Sequence, residues 1–154
     1  MPILAKNKRA NYDYKILSTY EAGLVLLGCE VKSIKTGHIS LKGSYVTLKQ
    51  SKKLNKLPEL YLINAHIPLY KFSNLSGYDP YRSRKLLLKK GEISRLIGKK
   101  QEQGLTLIPI KIYTKNRLIK LEFGLGQGKK KYDKREDIKK REVDKKMRQS
   151  MRQK

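Results

Sequence analysis

With 154 residues and a formal charge of +24, the chain can bury one core and is far more basic than solubility requires. A phosphate-rich partner follows, nucleic acid before membrane, because no apolar run approaches the roughly 20 residues of a spanning helix. Cys29, the single cysteine, excludes an internal disulfide and a cysteine-rich zinc site. The opening MPILAKNKRA has no apolar stretch long enough for a signal peptide, so a cytoplasmic protein is expected.

The first stretch, AKNKRANYDYKI, interleaves Lys6, Lys8, Arg9 and Lys15 with Tyr12 and Tyr14. That pattern suits a surface that tracks a nucleic-acid backbone and stacks rings on bases, or an ordinary frayed terminus. TYEAGLVLLG reads as a strand running to Gly28. CEVKSIKTG reads as a short helix, with Val31 and Ile34 three apart and Gly37 as its stop. SYVTLKQ alternates as a half-buried strand, SKKLNKLPE is a polar connector, and ELYLINAHI returns as the second arm of a hairpin. The loop PLYKFSNLSGYDPYRSR carries Tyr78, Tyr81, Arg82 and Arg84, which suits an RNA-facing surface or mere mobility. KLLLKK fits either a short strand or a helix start. Ile93, Leu96 and Ile97 give EISRLIGKKQEQG helical spacing, ended by Gly104. TLIPIKIYTKNRLIKLEFGLG gives two strands about a Lys115-Asn116-Arg117 turn, with Pro109 demoting part of the first to an edge or a bulge.

About six short strands with two inserted helices describe a mainly β domain over residues 1–127. The expected form is a small closed or partly open barrel of the five-stranded oligonucleotide-binding type; a β-rich α+β sandwich is the alternative.

Residues 128–154 form a basic tail with 13 Lys or Arg against 5 Asp or Glu, which leaves +16 of the +24 on the body. Its few apolar side chains cannot offset the entropy of ordering it, so alone it should be disordered. Asp133 stands three before Glu136 in capping-box spacing. Beyond it, Glu136–Lys140, Asp137–Arg141, Glu142–Lys146 and Asp144–Arg148 set acid before base at helical spacing, worth about 0.2–0.5 kcal/mol each. The tail reads as a latent helix that orders on a polyanion, spanning about 33 Å at ~1.5 Å per residue, or as a solvated tail that aids solubility.

Catalytic residues are not expected. No sequence logic joins His38 and His66, and structural roles suit both better than a nuclease-like pair. GLGQGKKK has a superficial glycine pattern, but it follows the last strand instead of opening a helix in a βαβ unit. No metal, cofactor or small-molecule substrate is implied. Glu21 and Glu30 stand out among the 8 acids of residues 1–127, either as hydrogen-bond acceptors for RNA or as local salt bridges.

The ordered motifs resemble the SsrA-binding protein (small protein B, SmpB) family of bacterial trans-translation. The residues that carry the resemblance are Asn7-Lys8-Arg9-Ala10, Tyr20-Glu21-Ala22-Gly23, Glu30-Val31-Lys32-Ser33, Ser44-Tyr45-Val46, Asp79-Pro80, Arg82 with Arg84-Lys85-Leu86-Leu87-Leu88, Gly128-Lys129-Lys130 and Tyr132-Asp133-Lys134-Arg135. The resemblance implies a monomeric, non-enzymatic adaptor that binds the tRNA-like domain of transfer-messenger RNA. It implies delivery to the A site of a stalled ribosome, with the tail as a helix in the small-subunit decoding centre and empty mRNA path. By the same resemblance, Asn7, Glu21, Leu87 and Lys120 are tied to RNA binding, Leu87 being expected to act by shaping the core; Lys8, Arg9 and Tyr12 join them from the basic and aromatic pattern of the first stretch. Gly128, Lys129, Lys130, Tyr132, Asp133, Lys134 and Arg135 are tied to ribosomal accommodation, with Met147 and Met151 as distal apolar contacts. Many relatives have histidine at Tyr132 and tryptophan at Val143. Tyrosine keeps the flat ring but cannot become cationic near neutral pH.

Overall fold

The computed structural model describes residues 2–51, 53, 56–102 and 105–152, without the side chains of 102 and 131–133. The expected stop at Gly104, Lys52, Leu54 and Asn55 of the expected connector, and the side chains of Tyr132 and Asp133 lie outside the described residues. What is described forms seven strands: β1 (Ile3–Lys6), β2 (Tyr14–Leu24), β3 (Tyr45–Lys49), β4 (Glu59–Ile63), β5 (Arg84–Leu87), β6 (Thr106–Lys115) and β7 (Leu118–Gly128). Four helices accompany them: α1 (Ala10–Asp13), α2 (Gly28–Lys35), α3 (Lys90–Glu102) and α4 (Lys131–Arg152).

Every strand pair is antiparallel, and β6, β3, β4, β5, β2 and β7 succeed one another until β7 returns to β6. The sheet is therefore a closed ring, the expected barrel and not the sandwich, with six strands instead of five. β1 lies along β6 from Ile3↔Tyr113 to Lys6↔Lys111. The ring is thinnest between β3 and β6, registered at Val46↔Leu107. Inward side chains from the strands, among them Leu60, Leu62, Leu86, Leu107, Leu121 and Phe123, form one core with Ile34 of α2 and Leu96 of α3. Tyr20 stacks on Phe123 at 5.6 Å.

Local chemistry explains the connections. The β6–β7 hairpin turns on Asn116 and Arg117, both with positive φ (50° and 65°), the two-residue geometry that matches strand twist. Pro109 sits at a bulge: the register shifts between Pro109 and Lys111. α2 ends as expected, with Gly37 at φ 83°, its N–H donating to Ile34 O and that of His38 to Ser33 O. KLLLKK begins inside β5, so it is strand.

Three expectations change. β2 runs from Tyr14 to Leu24 and not on to Gly28; its faces alternate from Tyr14, but Leu17 points outward and Ser18 inward, so hydropathy does not mark its first half. β1 and α1, four residues each, were not expected; elements so short carry no usable periodicity. Helix α4 begins at Lys131, two residues before the expected Asp133 cap, with Lys134 N–H bonded to Lys130 O.

Two of the three glycines of GLGQGKKK, Gly124 and Gly126, have a packing reason. A Cβ at Gly126 would lie 2.7 Å from Ile108 Cδ1, and one at Gly124 2.9 Å from Ile16 Cγ2. Side chains of the flanking strands thus lie directly over β7.

Candidate nucleic-acid interface

The expected site residues fall into three places. Asn7, Lys8 and Arg9 lie in a cleft of about 760 Å³ where β6 parts from β3, shared with Lys6, Lys42 and Tyr45. Asn7 itself is a structural anchor: its Nδ2 donates to Pro109 O at 2.8 Å and its N–H to Ile110 O at 2.7 Å. Those carbonyls belong to the bulge, and Asn7 satisfies them while turning the chain into α1. Lys8 and Arg9 are exposed. Tyr12, expected among them, is not in this group.

Glu21, Leu87 and Lys120 come together on the outer face of β5, β2 and β7, where Gly23 pairs with Leu87 on one side and Lys120 on the other. Leu87 and Lys120 flank Gly23 closely: a Cβ placed there would be in ordinary contact with both, 3.5 Å from Leu87 Cβ and 3.7 Å from Lys120 Nζ. Leu87 is 54% exposed, so the expectation that it shapes the core is wrong; strand alternation sends Leu86 inward and Leu87 out. Glu21 accepts a short hydrogen bond from the Tyr113 hydroxyl and sits 3.5 Å from Lys115 Nζ. The Tyr113 bond, helped by Lys115 and Lys120, holds the Glu21 carboxyl below the ordinary carboxylate range. Burial and that carboxylate push the Tyr113 phenol well up. Glu21 is thus a fixed anion on a cationic face, both a salt bridge and an exposed acceptor. Gly23 was not singled out for the site; its signal was its place in Tyr20-Glu21-Ala22-Gly23.

The third group joins body to tail. Lys129 donates its N–H to Asp13 O at 2.9 Å and its Nζ to Asn11 O at 2.6 Å, and its ammonium also pairs with Asp137. Lys134 reaches Asp13 at 3.2 Å and lies over the Tyr12 ring at 5.7 Å. This is where Tyr12 belongs. Asp137 turns back to Lys129 instead of forward to Arg141, and the bond from Lys129 lowers its pKa. None of the four expected acid-to-base pairs along α4 closes to an ion pair among the described residues. From Ile138 onward every described side chain is exposed, Met147 and Met151 included. Val143, Met147 and Met151, four apart, form an apolar stripe along one side of the helix. Arg135 is exposed, and a Cβ at Gly128 would meet nothing within 4 Å, so the body does not require glycine there.

Tyr78, Arg82 and Arg84 turn toward the interior, Arg84 fully buried and Arg82 with 30% of its side chain exposed. They surround Glu30, whose side chain is fully buried: Arg84 Nε donates to it at 2.7 Å, the Tyr78 hydroxyl at 3.1 Å, and Arg82 forms a short bidentate contact. Burial opposes the Glu30 charge, but the bonds from Arg82, the Leu27 N–H and Arg84 outweigh it and keep the carboxyl below its usual range. Burial beside that carboxylate raises Tyr78 to about 12. A buried carboxylate must be paired, and these groups pair it. Tyr81, by contrast, is 53% exposed and tilts against His66 at 4.9 Å. The histidines have separate neighbours, His38 Nδ1 meeting Thr36 Oγ1 at 2.9 Å.

A cationic barrel carrying a long unpacked basic helix matches one family throughout its length. The family model "SmpB protein" matches residues 4–153. The SsrA-binding protein of Thermosipho africanus is 51% identical over 148 residues, covering 96% of this chain and 95% of that protein. That of Anoxybacillus flavithermus is 48% identical over 151 residues, covering 98% and 94%. A solved structure described as "tmRNA-SmpB: a journey to the center of the bacterial ribosome" superposes with a TM-score of 0.64 at 45% identity, over 85% of this chain and 87% of that one. The chain belongs to the SmpB family of SsrA-binding proteins.

Proposed function

We propose that this protein is a cytoplasmic, monomeric, non-catalytic adaptor that needs no cofactor or metal and acts on no small-molecule substrate. Its barrel binds the tRNA-like domain of transfer-messenger RNA and delivers it to the A site of a stalled ribosome for trans-translation. The tail then enters the small-subunit decoding centre and the empty mRNA path. The named relatives are SsrA-binding proteins, and the similar structure is described as tmRNA-SmpB at the ribosome.

The observation that carries this reading is the two-part design. A closed body holds Glu21, Leu87 and Lys120 on one face, while α4 is tied to the body through Lys134 at its root and its described side chains are exposed from Ile138 onward. Along β2, Tyr14 and Glu21 are seven steps apart, roughly 23 Å at ~3.3 Å per residue. RNA face and tail root are therefore separate. In the free protein α4 beyond Asp137 frays, since a helix with no packed face is marginal; a polyanionic channel stabilises it by neutralising Lys and Arg. Lys130, Tyr132, Asp133, Lys134, Arg135, Met147 and Met151 are the tail residues we assign to the ribosome, and Lys129 and Gly128 set the angle at which they enter. Lys8, Arg9 and Lys120 contribute to RNA affinity directly.

The test is competition binding to the tRNA-like domain across salt. With six to ten phosphate contacts, affinity should fall roughly 10³–10⁵-fold between about 50 and 200 mM salt. Unrelated RNA should compete poorly. A flat salt response, or equal competition by any RNA, would replace the adaptor with a general RNA-binding module.

A further inference from the structure

The loop between β4 and β5 holds the most exposed ring of the body. Phe72 is 76% exposed at the centre of a turn closed by Ser73 N–H to Tyr70 O at 2.9 Å. One exposed phenylalanine is unremarkable, but its surroundings are specific. Tyr70 meets it edge-on at 5.6 Å, Lys71 Nζ lies 5.6 Å from its centroid, and Lys32 of α2 reaches over Tyr70 at 5.8 Å. The loop is also pinned at its base. Ile67 N–H donates to Pro80 O at 3.0 Å, the Tyr78 hydroxyl to Ile67 O at 2.7 Å, and Arg84 to Pro80 O at 3.0 Å and Ala65 O at 2.7 Å. A ring presented from an anchored turn loses little entropy on binding.

We propose that Phe72, Tyr70, Lys71 and Lys32 form a second RNA contact, a platform on which one unpaired nucleotide stacks its base while the two lysines meet its phosphates. Charge selects the ligand. Glu30 is buried with its arginines, which leaves Asp79, an exposed acceptor of the Tyr81 N–H, as the acid of this loop, while Phe72 offers an open π-face beside Lys71 and Lys32. A flat, apolar, anionic group fits that, and a nucleotide has all three properties. An apolar protein partner would use the ring but leave the lysines without purpose. The platform shares no residue with the Glu21, Leu87 and Lys120 face or with the N-terminal cleft. It rests on the reading of this chain as an RNA binder and is sequence-tolerant, because every base has a π-face.

The chain has two phenylalanines, Phe72 and the fully buried Phe123, so the full-length protein labelled with 4-fluorophenylalanine gives one reporter and one internal control. A short single-stranded oligoadenylate should shift the Phe72 fluorine signal saturably and leave that of Phe123 in place. Inorganic polyphosphate, which has charge and no bases, should not reproduce the shift. Followed at the same signal, Lys71→Ala should lower the slope of log affinity against log salt by about 0.7. A Phe72 signal unmoved by oligoadenylate, or moved equally by polyphosphate, overturns the platform. Binding of the tRNA-like domain by the same sample, measured separately, shows whether the adaptor reading stands when the platform does not.

Discussion

Glu30 Oε2 and Arg84 Nε meet at 2.7 Å with neither side chain exposed, and they tie α2 to β5 inside the barrel. Because Arg84 also holds Ala65 O and Pro80 O, the pair fixes both ends of the loop that carries Phe72. Glu30→Ala would leave a buried guanidinium uncompensated, at about 3–5 kcal/mol. We expect a large drop in urea midpoint and loss of loop order in hydrogen exchange; a variant as stable as wild type would contradict the assignment.

The same carboxylate gives a pH dependence of known sign. Its folded pKa lies below the ordinary 4.5, so its contribution is complete above that pH and is lost as pH falls through the folded value. Glu30→Gln imitates the protonated acid. The stability gap between wild type and Glu30→Gln should therefore be widest at neutral pH and close on acidification. Urea midpoints measured down the pH scale decide it, and a constant gap would mean the charge of Glu30 does not matter.

On the outer face, Leu87 and Lys120 share the space over Gly23. Since Leu87 is 54% exposed, Leu87→Asn should change stability by no more than about 0.5 kcal/mol. Binding to the tRNA-like RNA should weaken by about 1–2 kcal/mol, roughly 5–30-fold, as for a truncated interface side chain. Lys120→Ala should weaken binding and reduce the salt slope by about 1. Parallel loss of folding and binding in Leu87→Asn would return Leu87 to a core role.

Local rules made much of this fold legible. The Asn116-Arg117 turn, the Pro109 bulge and the Gly37 stop each depend on backbone geometry that one or two residues dictate, and all three stand where those residues stand. Long-range pairing was not legible. Tyr78, Arg82 and Arg84 looked like RNA ligands because nothing near them in the chain shows that Glu30, some 50 residues earlier, is buried and needs them. Leu87 failed for a related reason. In RKLLLKK the apolar run hides which residue faces inward, and only pairing with Gly23 assigns the register.

At the joint, Lys129 links Asn11, Asp13 and Asp137, so the first turns of α4 are held against α1 while the remainder is unpacked. β7 runs through Gly128, opposite Tyr14, so a tail deletion should begin at Lys129; cutting after Gly126 would also strip the last pairs of the barrel. The deletion should keep binding to transfer-messenger RNA and abolish peptide tagging on stalled ribosomes. Asp137→Asn should do the same more mildly, with tagging several-fold lower at unchanged RNA affinity, because Lys129 loses the charge that directs the helix. Asp137→Glu, which keeps that charge, should restore tagging. Circular dichroism of the isolated 129–154 peptide should show little helix without a polyanion and more with one. If Asp137→Asn tags normally, the joint does not set the direction of the tail, and whatever orders α4 must come wholly from the ribosome.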